Sequence, residues 1–430
     1  MSEINSVASV RAILVGAGEN RYLDELSRLA DTLGLTVVDS LEQNRRDGAG
    51  YVGKGKREEL ADLVQICDAE LVVTDDELTA SQARTLARAS GASVVDRTEL
   101  IIRIFEAHAR DAASRLEVEL ADLEYRLPRV KGRNPALSRL GGGVGGGRVT
   151  RGPGEQQLEY DRRAIRRRIE AINRKLSDEK RARQVRGARL NSDGPPVVAL
   201  VGYTNAGKTT MLNSLSGTHR STADRLFETL ETTTRRVSSP GNEQGSSAKP
   251  QYVVTDTVGF IRKLPTQLVH SFASTLEAAH NADLVVFCAD ASSDSVDDEI
   301  STATTILATR QDADSVAATN GSFSGKSILC LNKIDLLTPT ELAALKRKYP
   351  AAVFVSARSN TEELSEAIYD AVLSDRERIQ LLIPHDEYGL ANGLYGNAEI
   401  HASKDTVEGL WLDVSLSEAA RGQYEPYRLS

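Results

Sequence analysis

Gly202-Tyr203-Thr204-Asn205-Ala206-Gly207-Lys208-Thr209 follows five apolar residues, Val197 to Val201, and reads G-x-x-x-x-G-K-T. These residue types at this spacing hold phosphate. The glycines let consecutive backbone N–H groups converge on phosphate oxygens, the Lys208 ammonium adds a positive charge at the outer phosphates, and the Thr209 hydroxyl is a ligand for Mg2+. Thr210 to Leu215 then continues as a helix whose positive dipole end faces the same anion. A chance glycine turn is the bland alternative for this stretch taken alone.

Three further loops extend the chemistry. Tyr252 to Thr255 is strand-like and ends in Asp256-Thr257-Val258-Gly259, where a carboxylate can hold Mg2+ and a glycine N–H can meet a γ-phosphate. Ile328 to Leu331 ends in Asn332-Lys333-Ile334-Asp335. The Asp335 carboxylate can accept from the N1–H and N2–H₂ edge of guanine; adenine lacks that donor pair, so Asp335 encodes a preference for guanine. Val353 to Val355 ends in Ser356-Ala357-Arg358, whose backbone N–H can reach the guanine O6. Four loops in this order, each at a strand's carboxyl end, place ligand groups along one edge of a parallel sheet.

The elements that must carry these loops are legible along the chain. Residues 1–104 alternate strand-like and helix-like stretches: Ala12 to Val15, Tyr22 to Leu33, Leu35 to Val38, a helix through Leu60 and Leu63, Glu70 to Val73, Ser81 to Ala89, and Ser93 to Val95. That alternation predicts a small parallel α/β sheet. Gly16-Ala17-Gly18 follows the first strand with Asp39 about twenty residues on, as in a dinucleotide fold, yet Arg21 stands where that fingerprint needs glycine, so no cofactor is expected there. Residues 105–190 have another texture. Phe105, Ala109, Ala112, Leu116, Leu120, Leu123 and Leu127 form a seam along one helix that Pro128 stops, a glycine-rich loop runs from Gly141 to Gly154, and Leu158, Ile165, Ile169, Ile172 and Leu176 form a second seam. Two matching seams predict an antiparallel helical hairpin of about 30 Å per arm. Asn191 to Pro196 marks a boundary, and residues 195–375 are expected to form a P-loop domain with a mostly parallel sheet. Its polar inserts, Ser238 to Pro250 and Gln311 to Lys326, read as loops. Residues 376–430, with strand-like Ile379 to Ile383, helix-like Glu387 to Leu394 and strand-like Thr406 to Val414, predict a small α+β appendix.

Composition bounds the rest. A chain of 430 residues with 40% hydrophobic and 27% charged residues fits about three globular domains and excludes a disordered or collagen-like protein. No run of 18 apolar residues is present, and Met1 to Val10 has no signal-peptide pattern. Cys67, Cys288 and Cys330 sit among apolar neighbours and read as buried thiols of a reducing compartment, without zinc spacing. Charge is uneven. Arg126 to Arg189 holds 19 basic and 6 acidic residues, +13 in a chain whose net charge is −8, so the remainder carries −21. Such a segment suits an anionic partner, nucleic acid above all, with a merely solvated helix face as the alternative. The candidates for RNA contact are Arg162, Arg163, Arg166, Arg167 and Arg168.

The order and wording of these motifs resemble translation-factor-class GTPases, and more fully the HflX family. The likeness spans nearly the whole chain: Tyr51-Val52-Gly53-Lys54-Gly55-Lys56, Val94-Val95-Asp96-Arg97-Thr98, Leu116-Glu117-Val118-Glu119-Leu120, Arg151-Gly152-Pro153-Gly154-Glu155, Leu226-Phe227-Glu228-Thr229-Leu230, and Asp256 to Leu264. It departs at Gly154-Glu155-Gln156-Gln157, where G-E-T-Q is usual, and in a longer glycine tract. The resemblance implies that Phe227, Glu228, Thr229, Leu230 and Glu231 join the GTP site, with Thr229 as the switch threonine sharing Mg2+ with Thr209 and Asp256. It implies catalysis by Lys208, Asn205 and Gly259; Asn205 occupies the position that coordinates K+ in some related GTPases, or else forms an Asx turn. Phe260 stands where Ras-type GTPases carry a water-orienting glutamine, so intrinsic hydrolysis is expected to be slow and to be completed by the ribosome or a cation; simple packing is the alternative for Phe260.

By this likeness the expected activity is GTP hydrolysis coupled to binding of the large ribosomal subunit and its rRNA, with splitting or rescue of stalled ribosomes under stress. The expected cofactors are Mg2+ and, at Asn205, K+. A cytoplasmic monomer without a membrane span is expected, with peripheral membrane association left open. Two other readings stand beside it: a nucleotide-gated RNA- or ribosome-binding module whose hydrolysis is incidental, and a GTPase of RNA modification or remodelling.

Overall fold

The computed structural model describes residues 9–19, 21–132, 153–188, 195–218, 227, 233–237, 252–263, 278–308, 326–373, 376–416 and 418–429. It divides into two compact units, one of Met1–Lys180 with Arg225–Glu228 and Lys263–Ser271, the other of Arg181–Asp224, Thr229–Arg262 and Phe272–Ser430. The glycine-rich tract, the insert at Ser238 to Pro250 and nearly all of that at Gln311 to Lys326 lie outside the described residues.

The first unit begins with β1 (Arg11–Ala17), α1 (Leu23–Thr32), β2 (Thr36–Gln43), α2 (Lys54–Ile66), β3 (Leu71–Thr74), α3 (Ala80–Ser90), β4 (Ser93–Asp96) and α4 (Arg97–His108). Its four strands are parallel in the order β2-β1-β3-β4. β1 and β3 are continuous apolar runs because helices cover both faces of such a sheet. At the end of β1 the would-be dinucleotide turn is filled by the chain's own arginines. Arg21 donates to the Gly18 carbonyl at 2.5 Å, and Arg46 Nε donates to the Ala17 carbonyl. At the end of β3, Asp75 is fully buried against the Arg97 guanidinium at 2.8 Å, and Lys263 Nζ lies 2.6 Å from Asp75 and 2.8 Å from Asp76.

The basic segment departs from expectation in two places. The first seam is not one helix. It is cut at Ala109–Asp111, where Asp111 accepts the Ser114 N–H as an N-cap and starts α5 (Ala112–Arg126) afresh. As expected, that α-helix stops just before Pro128, which sits within a 3₁₀ turn, Leu127–Gly132. α6 (Pro153–Ala188) is 36 residues long, about 54 Å at 1.5 Å per residue and well beyond the 30 Å expected. Gly154 to Gln157 therefore lie in its first turns and not in a loop, with Pro153 at a position where the missing N–H is harmless.

The second unit is built from β5 (Val197–Gly202), α7 (Lys208–Leu215), β6 (Thr233–Val237), β7 (Tyr252–Asp256), β8 (Leu284–Asp290), α8 (Val296–Ala308), β9 (Ser327–Asn332), α9 (Pro339–Lys348), β10 (Val353–Phe354) and α10 (Glu362–Leu373). The sheet order is β10-β9-β8-β5-β7-β6, parallel except for β6. After it come β11 (Glu377–Ile383), α11 (Tyr388–Asn397), β12 (Glu399–Asp405), β13 (Leu410–Leu416) and α12 (Glu418–Tyr424), an antiparallel sheet in the order β11-β13-β12. The expected strand from Thr406 is corrected here. Thr406 to Gly409 is a turn, with the Thr406 N–H on the Gly409 carbonyl and Gly409 at φ +152°. β12, an edge strand of mixed polarity, had no clean alternation to announce it. Among the described residues no helix is long and apolar enough to cross a membrane.

Candidate nucleotide site

The site lies at the carboxyl ends of β5, β7, β9 and β10. Hydrophobic packing brings them together: Val198 and Leu200 of β5 share a core with Val254, Val286, Cys330 and Val355. β5 pairs with β7 as far as Leu200 and with β8 as far as Gly202, which lies opposite Cys288. Gly202 has φ +153°, and a Cβ there would stand 2.0 Å from the Cys288 carbonyl oxygen. Gly207 has φ +87°, and a Cβ there would meet the Asn332 amide at 2.2 Å. Both positions combine a left-handed backbone with close neighbours, so glycine is required. Asn205 lies between them at φ +64°, a conformation asparagine tolerates.

Lys208 opens α7 and is buried. Its Nζ donates to the Gly202 and Tyr203 carbonyls at 3.1 and 2.8 Å. Burial pushes its pKa below the usual lysine value, while Asp256 acts the other way. Next to it, Thr209 Oγ1 donates to Asp256 Oδ2 at 2.6 Å, and Asp256 is fully buried. A hydroxyl and a carboxylate in contact form a hard-oxygen pair, and that donor chemistry fits Mg2+. Thr257 Oγ1 is turned to the Leu200 carbonyl at 2.7 Å and Val258 is buried, so both stabilise the strand end without facing outward.

Asn332 joins two loops through its side chain. Its Nδ2 donates to the Ala206 carbonyl at 2.8 Å and its Oδ1 accepts the Ala357 N–H at 2.9 Å. The first and fourth motifs are thereby held at a set distance by one amide. Lys333 adopts φ +63°, and its Nζ is 2.7 Å from Asp290 at the end of β8. Ile334 is half-buried, while Asp335 and Arg358 are exposed. The hydroxyls of Thr204 and Ser356 are buried without a hydrogen-bond partner among the described residues, which marks groups that water or a ligand must satisfy.

Not every expected site residue is gathered here. Glu228, Thr229, Leu230 and Glu231 lie outside the described residues. Phe227 belongs to the first unit, where its ring meets Phe105 edge-on at 4.7 Å. In this structure its ring is engaged in packing. Phe260, the position of the absent glutamine, is fully buried with Ala199, Val201, Tyr203 and Val285. Asp290 was missed by sequence reasoning, although the apolar run Leu284 to Ala289 ending in an aspartate resembles the other four strand ends.

Among the arginine candidates, Arg162 is half-buried and the other four are exposed. Arg163 pairs with Glu159 one turn away, and Arg168 forks onto both oxygens of Glu119 at 2.6 and 2.7 Å. Arg166 and Arg167 carry no ion pair among the described residues.

A glycine-lined lysine loop, a threonine paired with a buried aspartate and a buried asparagine joining the first and last loops, all on one edge of a largely parallel sheet, define a P-loop GTPase. Residues 20–106 match the family described as GTP-binding GTPase N-terminal, residues 108–189 that described as GTP-binding GTPase Middle Region, and residues 197–321 that described as 50S ribosome-binding GTPase. The chain is 40% identical to a GTPase HflX of Caldanaerobacter subterraneus over 87% of its own length and 83% of that protein. It is 34% identical to GTPase HflX of Escherichia coli K12 over 87% and 84%. A solved GTP-binding protein of Sulfolobus solfataricus in complex with GDP covers 85% of this chain at 21% identity, with a TM-score of 0.43. The chain belongs to the HflX family of GTPases, hydrolases acting on GTP.

Proposed function

We propose that GTP binding and hydrolysis in this chain gate its association with the large ribosomal subunit, leading to the splitting or rescue of stalled ribosomes. The observation that carries the ribosome reading is the exposed arginine run of α6, in which Arg166 and Arg167 carry no ion pair to a carboxylate among the described residues. Phosphate contacts dominate affinity for RNA, so free guanidinium groups are what such an arm needs. The match of residues 197–321 to a 50S ribosome-binding GTPase family agrees with this reading. Along the chain we divide the work among residues 1–104, the basic arm 105–190, the GTPase part 195–375 and an appendix, 376–430, of a cytoplasmic monomer.

In the site, the P-loop amides from Gly202 to Thr210 cradle the phosphates and Lys208 balances their charge. Thr209 and Asp256, with Thr229, would hold Mg2+, which supplies further charge compensation between the outer phosphates. Gly259 N–H meets the γ-phosphate, Asp335 reads guanine, and the Ala357 region meets O6. Water attacks the γ-phosphorus as the bond to the β-phosphate oxygen breaks. Phe260 is enclosed in the core and does not orient that water, so basal turnover is slow. A K+ ion beside Asn205 would add charge at the same place; equal turnover in KCl and NaCl excludes it.

The deciding measurement is GTP turnover with and without isolated large subunits. Stimulation by the subunits is expected. Nucleotide-dependent pelleting with subunits but unstimulated turnover supports the binding-module reading instead, and turnover stimulated by free RNA alone supports a role in RNA remodelling.

A further inference from the structure

Residues 260–262 are stitched to the P-loop. Tyr203 and Phe260 form a parallel β-bridge in which the Phe260 N–H donates to the Gly202 carbonyl at 2.9 Å and the Thr204 N–H donates to the Phe260 carbonyl at 2.7 Å. A third bond comes from a side chain: the Arg262 N–H donates to the Tyr203 hydroxyl at 2.5 Å. Tyr203 is 7% exposed and shares a core with Phe260. Its own carbonyl accepts the Lys208 ammonium at 2.8 Å. The Gly259 backbone is consequently so close to the P-loop that a Cβ there would lie 2.7 Å from Thr204 Cα and 2.8 Å from Lys208 Nζ.

We infer that Tyr203 is a positioning residue for GTP hydrolysis: its hydroxyl holds the strand-end segment after Gly259 against the P-loop, and so sets where the Gly259 N–H stands relative to the γ-phosphate and to Lys208. This rests on the reading of Gly259 as a γ-phosphate contact. One residue touches both parts of the device, the lysine through its carbonyl and the segment after Gly259 through its phenol. A phenylalanine would fill the same core volume, so the hydroxyl is separable from the packing. The β-bridge ends at Phe260; beyond it the Tyr203 hydroxyl ties the Arg262 main chain back to the P-loop, while the Arg262 side chain pairs with Asp298 at 3.5 Å. The inference also gives Phe260 its part: a buried ring at this position keeps the bridge in register, which a polar side chain drawn towards water would not do.

The test is Tyr203→Phe in the full-length protein, with affinities for GDP and a non-hydrolysable GTP analogue and a single-turnover hydrolysis rate. GDP affinity is expected to stay within about twofold, because the P-loop amides are untouched, while analogue affinity and hydrolysis rate each fall about fivefold, the scale of one neutral hydrogen bond. Loss of GDP and analogue affinity in equal proportion, or no change in analogue affinity and rate, overturns the inference. Gly259→Ala is run alongside. If it leaves the ratio of analogue to GDP affinity unchanged, the reading of Gly259 fails and takes the inference with it. If Gly259→Ala lowers that ratio and Tyr203→Phe does not, only the role of Tyr203 falls.

Discussion

Replacing Phe260 with glutamine restores, on paper, the residue that orients water in Ras-type GTPases. The structure gives the opposite expectation. Phe260 has no exposed surface, and its ring packs against Ala199, Val201, Tyr203 and Val285. Burying a phenylalanine side chain is worth about 1.5–3 kcal/mol, and a buried amide without partners costs about 1–3 kcal/mol more. Phe260→Gln should therefore lower stability by roughly 3–6 kcal/mol, a large share of the 5–15 kcal/mol typical of a folded domain. A glutamine that escaped the core instead would have to break the bridge between residues 203 and 260. Urea unfolding of the two proteins measures the stability loss, and single-turnover GTP hydrolysis measures any gain. A variant as stable as the parent that hydrolyses GTP ten times faster would refute the claim that this position is structural.

Three other expectations follow from named contacts. Reversing Arg166 and Arg167 to glutamate should weaken binding to large subunits, most strongly at low salt, whereas Arg168→Glu should mainly set two carboxylates against each other at Glu119 and lower the melting temperature by a degree or two, because an exposed pair is worth only about 0–1 kcal/mol. Sedimentation at two salt concentrations and a thermal melt separate the two effects. Arg97→Met should destabilise the protein by about 3 kcal/mol in urea unfolding, the low end for a broken buried pair, since it removes the guanidinium buried between Asp75 and Glu25 while Lys263 still stands beside Asp75. The fork of Arg378 holds the Asp413 carboxyl below its ordinary value of 3.8. A depressed folded pKa means stabilisation that is present above that value and lost as the pH falls through the folded one. Asp413→Asn should thus be destabilising at neutral pH and nearly neutral in strong acid, as read by urea midpoints across pH.

Legibility followed the range of the interaction. The strands leading into Gly202, Asp256, Asn332 and Ser356 could be read because a buried parallel strand must be a continuous apolar run, and the loops because phosphate needs glycine amides and a lysine. The break before α5 was set by a single cap, Asp111, inside an apolar spacing that a longer helix satisfies equally well. β12 was hidden because an edge strand buries little and needs no alternation. No spacing rule could have revealed that Asn332 spans Ala206 and Ala357, or that Asp290 holds Lys333, since those partners are 126, 25 and 43 residues away. The same limit divided the arginine run: Arg163 and Arg168 became distinct from Arg166 and Arg167, which are unpaired among the described residues, only once Glu119 and Glu159 were in place.

Phe260 ties the chemistry of the site to its proposed partner. A switch meant to persist until it meets a large particle needs weak hydrolysis when alone, and the simplest way to have that is to leave the attacking water unassisted. Merely omitting the glutamine would leave a flexible loop that water and stray side chains could fill. Placing a phenylalanine there and packing it beneath the P-loop does more, because the segment is held by the core and by the backbone of Gly202 and Thr204. On the proposed reading the Gly259 amide is then kept ready for the γ-phosphate, and Phe260 brings no group that activates water. Stimulation would have to bring a new polar or charged group to that amide. Under the proposed function, docking on RNA or ribosomal protein would meet that requirement, and for this reason the comparison of turnover with and without large subunits carries more weight than any measurement on the isolated protein.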